Sequence, residues 1–412
     1  MNRRVAVTGI GLVSPHGDDP AGFFAALMRG ESAIRLYVSE EGPHPLAIPA
    51  ARCADFDAAA RLGRARANSM DRFSQIGTAA ALSAWQDAGL PPGDSAGLEA
   101  AGVCWGTGAG GALTTERGYR DLYLKDRPRI SPLSVILGMN NAAAAHVAIA
   151  LGLGGANLTY SVACASSTVA IGEAFHRVRS GETPVMLAGG SDAPLAYGVI
   201  RAWESLQVLA LGDATAAPGV CRPFHAGRSG LVLGEGGGAL ILEDWQHARG
   251  RGARIYAELL GYGASCDHDH LTRPHPAGQA RAIAGALRDG GLNPDQVDYV
   301  NAHGTATKEG DVAEIAALRQ VLGARSEQVA ISATKSMHGH LMGATGAIEA
   351  IACVLALQRQ AIPPTAFLDA PDPACVGLRH VDRGETGVPL RVALSNSFAF
   401  GGSNAVLAFG AV

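Results

Sequence analysis

Aromatic side chains are scarce in this chain, at 5% of 412 residues, and charged ones reach only 17%. The first shortage leaves too few flat rings for a stacking platform on single-stranded nucleic acid. The second, with a net charge of −4, leaves no broad basic field for a phosphate backbone. Low charge beside 48% hydrophobic content also excludes extended disorder and supports a large core. Cysteine is sparse: seven, scattered, odd in number and without a Cys-x-x-Cys pair. That fits a reducing compartment better than a disulfide framework. No run reaches the ~20 uninterrupted apolar residues of a membrane span. The longest candidate, 135–153, is broken by Asn140, Asn141 and His146. The opening Met1-Asn2-Arg3-Arg4 passes into a strand-like run too short for a signal peptide. A soluble, cytoplasmic protein of one large or two ordinary domains is expected.

What is present alternates between strand and helix patterns. Strands are expected at 4–10, 101–106, 157–162 and 184–190, and helices at 19–29, 69–88 and 168–174. Gly89, Pro91 and Pro92 end the second helix, and 31–57 and 114–129 read as loop or polar connection. Residues 227–242 read as a hairpin, and 244–252 is a short polar helix at a natural midpoint. Strands then recur at 254–261, 299–302, 329–332, 391–395 and 404–409, with helices at 279–288, 311–322 and 346–358. The second half echoes the first, so two duplicated βαβ-type halves are expected, 1–250 and 251–412, in an α/β architecture.

Two glycine stretches invite a dinucleotide reading. Residues 106–111 match G-x-G-x-x-G after a strand, but a polar segment follows where a helix is required. Gly9-x-Gly11 has Ser14 at the third position. Glycines that keep a wall close to a site are the better account of both. The cluster Cys266-Asp267-His268-Asp269-His270, with His275, matches no strong zinc spacing and reads as a polar loop.

The chemistry gathers elsewhere. Ser161-Val162-Ala163-Cys164-Ala165-Ser166-Ser167 places a cysteine between a strand and a helix, among small residues. Free N–H groups and the helix dipole there favour a thiolate. His303 follows a strand in Asn301-Ala302-His303-Gly304-Thr305-Ala306-Thr307. Lys335, His338 and His340 follow another, and Asn396-Ser397-Phe398-Ala399-Phe400-Gly401-Gly402 is a glycine turn between strands. Ligands in open α/β sheets gather at the carboxyl ends of strands, where these groups lie.

In this order and spacing, nearly end to end, the motifs resemble a β-ketoacyl-(acyl-carrier-protein) synthase of the thiolase-like superfamily. The likeness is greatest to the elongating type II branch and its polyketide-synthase relatives. The resemblance implies duplicated βαβαβ halves in a layered α-β-α-β-α core. It implies acyl transfer to Cys164, followed by decarboxylative Claisen condensation with malonyl-carrier protein. It assigns enolate stabilisation to the uncharged Nε2 groups of His303 and His340, and the thioester oxyanion to the backbone N–H groups of Cys164 and Phe400. Lys335 is the electrostatic lysine, Glu349 its acidic partner, and Thr305, Thr307 and Thr272 contact the phosphopantetheine arm. Ala109, Trp203, Ala399 and Phe400 form the acyl pocket and its gate. Ala399 replaces a glycine usual in the gate loop, and Ala109 a larger aliphatic residue, which points to a specialised polyketide or polyene pathway. No metal and no resident cofactor is implied. Partners are an acyl carrier protein and a second subunit, either an identical copy or a chain-length-factor-like relative. Two rivals are a chain-length-factor subunit itself, which lacks the cysteine, and a coenzyme A thiolase, which uses a second cysteine in place of a histidine loop.

Overall fold

The computed structural model describes residues 3–91 and 98–412. Pro92, one of the residues expected to end a helix, lies outside them. Eleven strands join in one sheet. In chain order they are β1 (Val5–Val13), β2 (Gly102–Gly106), β3 (Asn157–Tyr160), β4 (Val185–Asp192), β5 (Gly236–Asp244), β6 (Ala257–Cys266), β7 (Tyr299–Asn301), β8 (Ala330–Ser332), β9 (Arg379–His380), β10 (Val392–Phe398) and β11 (Ser403–Gly410). Across the sheet they run β9-β8-β7-β10-β11-β6-β1-β5-β4-β2-β3.

The sheet divides between β1 and β6, which share only the pairs Val5↔Leu259, Ala6↔Glu258 and Val7↔Ala257. On either side the topology repeats. One half runs β1-β5-β4-β2-β3, the other β6-β11-β10-β7-β8. In each, the first two joints are antiparallel and the last two parallel. β9 is an addition to the second half, parallel to β8.

Five helices complete the layers: α1 (Arg72–Asp87), α2 (Ser166–Ser180), α3 (Pro276–Asp289), α4 (Lys308–Leu322) and α5 (Thr345–Arg359). α2 and α5 pack on one another and on strands of both halves, forming the middle layer. Thr345 to Leu357 of α5 is buried without interruption, as a helix apolar on all sides must be. α1 covers β1, and α3 covers β6 and β11. The result is the layered α-β-α-β-α core implied by the resemblance.

The duplication extends to atomic detail. A Cβ on Gly9 would lie 2.3 Å from the Ala84 carbonyl oxygen, and one on Gly11 2.2 Å from that of Ala80. In the second half the same contacts are Gly261 to Ala286 at 2.4 Å and Gly263 to Ala282 at 2.1 Å. Between each glycine pair, a strand N–H is accepted by the aspartate ending the helix: Ile10 by Asp87 and Tyr262 by Asp289, both at 3.0 Å. Gly9-x-Gly11 is thus a helix-docking groove and not a nucleotide loop.

Three expectations are corrected. Residues 31–57 contain a hairpin, Ile34–Ser39 against Leu46–Ala51, disguised by Pro43, Pro45 and Pro49. Residues 227–242 are not a hairpin. Leu233–Gly234 pairs in parallel with Ala50–Ala51, while β5 lies between β1 and β4. Its glycines read as a turn, yet Gly237 and Gly238 face Ile76 and Ala347 and make room for α1 and α5. The polar stretch 114–129 is largely the helix Ala112–Leu124.

The docking groove yields a test. Gly263→Ala forces a methyl onto a helix carbonyl and is expected to destabilise the fold by about 1–3 kcal/mol. Urea denaturation measures it. An unchanged midpoint would show that α3 can shift freely.

Candidate active site

β3 ends at Tyr160, and a 3₁₀ turn, Ala163–Ala165, leads into α2. Ala163 has φ +46°, a conformation an L-residue holds only when its surroundings impose it. The imposing contacts are short. Ser166 Oγ accepts from the Val162 N–H at 2.8 Å and donates to the Ala163 carbonyl at 2.7 Å. Gly106 lets β2 pass close behind: a Cβ there would sit 2.3 Å from the Ser166 carbonyl carbon. Cys164 is thereby presented at the head of α2, 6% exposed.

His340 Nε2 lies 3.1 Å from Cys164 Sγ. Its other nitrogen, Nδ1, accepts the Met342 N–H at 3.2 Å, and Thr345 Oγ1 lies 2.9 Å away. An N–H donor at Nδ1 fixes the tautomer, so Nε2 carries the proton and donates towards the sulfur. His303 stands edge-on to His340, ring centroids 5.5 Å apart. Its loop is held by Glu314 on α4, which accepts the His303 and Gly304 N–H groups, each at 2.8 Å, and Asn396 Nδ2 at 3.0 Å. One side-chain atom each from Cys164, His303 and His340 lies within 4.8 Å of the other two. That spacing would also suit a metal ion. However, an ion needs a bare lone pair on Nε2, which the Met342 N–H at Nδ1 opposes, and it would sit in the field of Lys335.

Burial holds both imidazoles far below the ordinary histidine range, and the Lys335 charge lowers them further. They are neutral donors. Lys335 Nζ meets Glu349 Oε1 at 2.7 Å, with neither side chain exposed. Burial lifts Glu349 to about 7 although Lys335 opposes it. Burial also pushes the Cys164 thiol up to about 11, against the pull of Lys335 and of the Phe400 and Cys164 N–H groups. This corrects the expectation of a standing thiolate: desolvation outweighs the helix head, and the resting group is the thiol.

The Phe400 and Cys164 N–H groups lie close enough to the sulfur to lower the thiol against its burial. The turn carrying Phe400 takes its left-handed residues at Gly401 (φ +85°) and Gly402 (φ +74°), and Ala399 is not among them. The alanine is therefore accommodated without strain in this conformation. Phe400 stacks on Trp203, centroids 5.8 Å apart and planes 20° from parallel. The Gly401 N–H is bonded to the Leu271 carbonyl at 2.7 Å.

A cavity of about 350 Å³ opens onto Cys164, His303 and His340. Thr272, Thr305, Thr307, Trp203, Ala399 and Phe400 line it. Ala109 does not. Its N–H donates to Asp192 at 2.9 Å, alongside Thr107 Oγ1 (2.8 Å) and the N–H groups of Gly108 (2.8 Å) and Gly343 (2.7 Å). The glycine stretch does precede a helix, but the Gly108 and Ala109 N–H groups go to this buried carboxylate and the Gly110 N–H to Thr107 Oγ1 at 3.0 Å, so none of these three is free for a cofactor phosphate. The 266–275 cluster is a loop at the cavity mouth, contributing Asp267 and Leu271 to Pro274 to its wall. Asp267 is occupied by Asn404 Nδ2 (2.7 Å) and the His275 N–H (3.0 Å). Asp192 and Glu314 are the supports that sequence reading missed. Both bind backbone N–H groups, which no side-chain motif announces.

The sequence pattern of the Beta-ketoacyl synthase N-terminal domain matches residues 2–248, and that of the C-terminal domain matches 256–369. The chain belongs to the β-ketoacyl synthase family. It is 42% identical over 418 residues to Nodulation protein E of Rhizobium leguminosarum bv. trifolii, covering 99% of each chain. It is 40% identical over 412 residues to 3-oxoacyl-[acyl-carrier-protein] synthase 2 of Synechocystis sp., covering 99% of this chain and 98% of the other. The solved ishigamide ketosynthase/chain length factor superposes with a TM-score of 0.92 at 35% identity, covering 100% of both chains. As a β-ketoacyl synthase the protein is an acyltransferase-type condensing enzyme on the thiolase-like fold. Among the described residues no helix is long and apolar enough to cross a membrane, and all seven cysteines are free.

Two outcomes follow for this synthase. Alkylation of Cys164 by a neutral reagent should accelerate steadily from pH 6 to about 9, because the thiol titrates only near 11. A plateau near pH 7 would show a standing thiolate. Stability should also respond to acid. His303, His338 (at about 3) and His340 are neutral in the fold, so their contribution is present above 6.5 and lost as pH falls towards 3. Asp311 and Glu349, raised to about 7 from 3.8 and 4.5, act oppositely, and their contribution is lost as pH rises through 7. The two sets offset one another until the carboxyls are protonated in both states. The urea midpoint should therefore change little between pH 6.5 and 4.5 and fall steeply below 4.5. A midpoint that climbs below 4.5 would contradict the neutral imidazoles.

Proposed function

We propose that this synthase elongates carrier-bound acyl chains by decarboxylative condensation, as the resemblance implies. The observation that carries the reading is a thiol facing two neutral imidazoles at a cavity, beside a fixed cation. In the first step Cys164 Sγ attacks the thioester of an acyl chain on a carrier's phosphopantetheine arm. The C–S bond to the arm breaks, the thiol proton passes to the departing sulfur, and the oxyanion rests on the Cys164 and Phe400 N–H groups. In the second step malonyl-carrier protein loses CO₂. The electron pair of the broken C–C bond forms an enolate, whose oxygen is held by His340 Nε2–H and the facing N–H of His303. The enolate carbon then attacks the Cys164 thioester carbonyl, the C–S bond to Cys164 breaks, the β-ketoacyl carrier leaves, and the expelled sulfur takes a proton from solvent to restore the thiol.

Neutral imidazoles are essential here, because an imidazolium would protonate the enolate instead of holding it. Lys335 guards that state: a fixed positive charge nearby disfavours protonation of either ring. Thr305, Thr307 and Thr272 contact the arm, and Trp203 and Phe400 gate the chain. We assign the nucleophile to a half spanning 1–250 and the His/Lys/His set to one spanning 251–412. The complete Cys164, His303 and His340 set disfavours a chain-length-factor subunit, and the histidine loop at 338–340 disfavours a coenzyme A thiolase.

A second subunit is part of the proposal. β3 is an edge of the large sheet with a free side for pairing. On the helix 142–151, which packs on it, and on the segments 134–138 and 112–124 packed in turn beyond that helix, Ile149, Val135 and Tyr123 are 78%, 72% and 75% exposed. An apolar surface of this kind is suited to an identical copy or a chain-length-factor-like relative. The alanine at 399, where the resemblance expects a glycine in the gate loop, favours a specialised polyketide or polyene product.

Incubation with an acyl donor and malonyl-carrier protein tests the reaction through CO₂ release and a β-ketoacyl product. Cys164→Ala should abolish acylation. His303→Ala should keep acylation and lose condensation by about 10²–10³-fold. Acylation that persists without Cys164, or condensation unaffected by His303, would overturn the roles.

A further inference from the structure

The helix Tyr197–Ser205 carries Trp203, which stacks on Phe400 at the cavity wall. By itself this helix is poorly anchored. Ile200 alone among its nine residues is fully buried, and its N-cap is Ala196, whose side chain offers no acceptor to the first turn. The acceptor comes from elsewhere in the chain. Glu116 Oε1 accepts the Tyr197 N–H at 3.0 Å, and Oε2 accepts the Gly198 N–H at 2.6 Å. Both bonds are charge-assisted and lie at the positive end of the helix. Glu116 is itself on a fixed support: its helix, Ala112–Leu124, is tied near its start to Asp71, which accepts the Thr114 N–H at 2.8 Å and the Thr114 hydroxyl at 2.6 Å. The other ties of the helix 197–205 run to the exposed hairpin turn, where Arg201 donates to the His44 and Pro45 carbonyls at 3.3 and 2.6 Å.

The backbone of the gate turn does not depend on this helix. The Gly401 N–H donates to the Leu271 carbonyl and the Gly402 carbonyl accepts the Asp267 N–H, both at 2.7 Å. The Phe400 ring does depend on it, because its stacking partner rides less than two turns from the capped end. We propose that Glu116 is a positioning residue of the acyl gate: by capping the helix 197–205 it holds Trp203 against the Phe400 ring and so restrains the entry of long acyl chains. This rests on the reading of Trp203 and Phe400 as the gate. An acetyl group need not displace the ring. A long chain must, and the stacked pair adds to the cost of passing. Releasing the cap therefore lowers the barrier for the long chain and leaves that for the short one.

The test follows acylation of Cys164 by mass spectrometry with an acetyl and a dodecanoyl thioester of the same carrier, and reads the ratio of their kcat/KM values. Glu116→Ala should raise the dodecanoyl-to-acetyl ratio about three- to tenfold, through the long donor. Trp203→Ala should raise it as much, and the double variant no further, because both changes release the same brace. Glu116→Gln keeps one acceptor oxygen and should fall between Glu116→Ala and the wild type, which decides the matter even if Glu116→Ala does not fold. A merely structural role would change both donors alike, and that result, or additive shifts in the double variant, would overturn the proposal. The helix of Glu116 also belongs to the surface offered to a second subunit, so native mass is measured beside the kinetics. A shift found only where the native mass has changed would assign the effect to assembly and overturn it too. If Phe400→Ala leaves the ratio unmoved, the gate reading itself fails; a ratio moved by Phe400→Ala and Trp203→Ala and not by Glu116→Ala refutes Glu116 alone.

Discussion

Lys335 and Glu349 meet at 2.7 Å where neither reaches solvent. Removing two charges from water costs more than their attraction returns unless the geometry is good, so such a pair is weak evidence of stability. Its value lies in the field it fixes. Glu349 hovers near 7, while the cation lowers His303, His340 and Cys164 together. For the imidazoles burial and Lys335 act in the same direction, and the rings are neutral without qualification. For the thiol they oppose, and burial wins. A sulfur that is protonated at rest and surrounded by N–H donors is reactive only when a thioester arrives to take its proton. That protects it from adventitious electrophiles between turnovers.

The same dry pocket explains why the site lies where the two halves meet. Cys164 comes from the loop after β3 at the head of α2. Lys335 and His340 come from the equivalent loop after β8, leading into α5. Because α2 and α5 pack against each other in the middle layer, the duplicated loops face one another across the pseudo-symmetric junction. Two copies of one architectural element thus supply different chemistry, a nucleophile from the first and hydrogen-bond donors from the second. Glu314 and Asp192 hold the flanking loops by their backbone N–H groups, and the reacting side chains inherit that rigidity.

Much of this was legible in the sequence because the relevant signals are local. Strand-to-helix junctions at 164, 303 and 335, each flanked by small residues, announce loops at strand ends. The repeated order of elements announces the duplication. What escaped was written in long-range contacts. The Ile34–Ser39 hairpin hides behind prolines because its partner strand is identified only by register. Gly237 and Gly238 look like a turn until α1 and α5 are placed over them. The protonation state of Cys164 was misjudged because a helix head is visible in sequence, whereas the exclusion of water is not. Ala109 fell outside the cavity because its backbone is claimed by Asp192, more than eighty residues away.

The paired glycines of β1 and β6 have a bearing on how the chain assembles. Each pair, with its aspartate cap, forms a socket for a helix presenting alanines four residues apart, and the two sockets are nearly interchangeable. Connectivity separates them. Asp289 lies 27 residues from Tyr262, whereas Asp87 lies 77 from Ile10. Closing the shorter loop is less costly by about 0.9 kcal/mol on a (3/2)RT ln n scale. Chain entropy therefore favours the second half filling its own socket first, which leaves the late-closing helix a single vacancy and removes the mispairing that internal symmetry would otherwise invite.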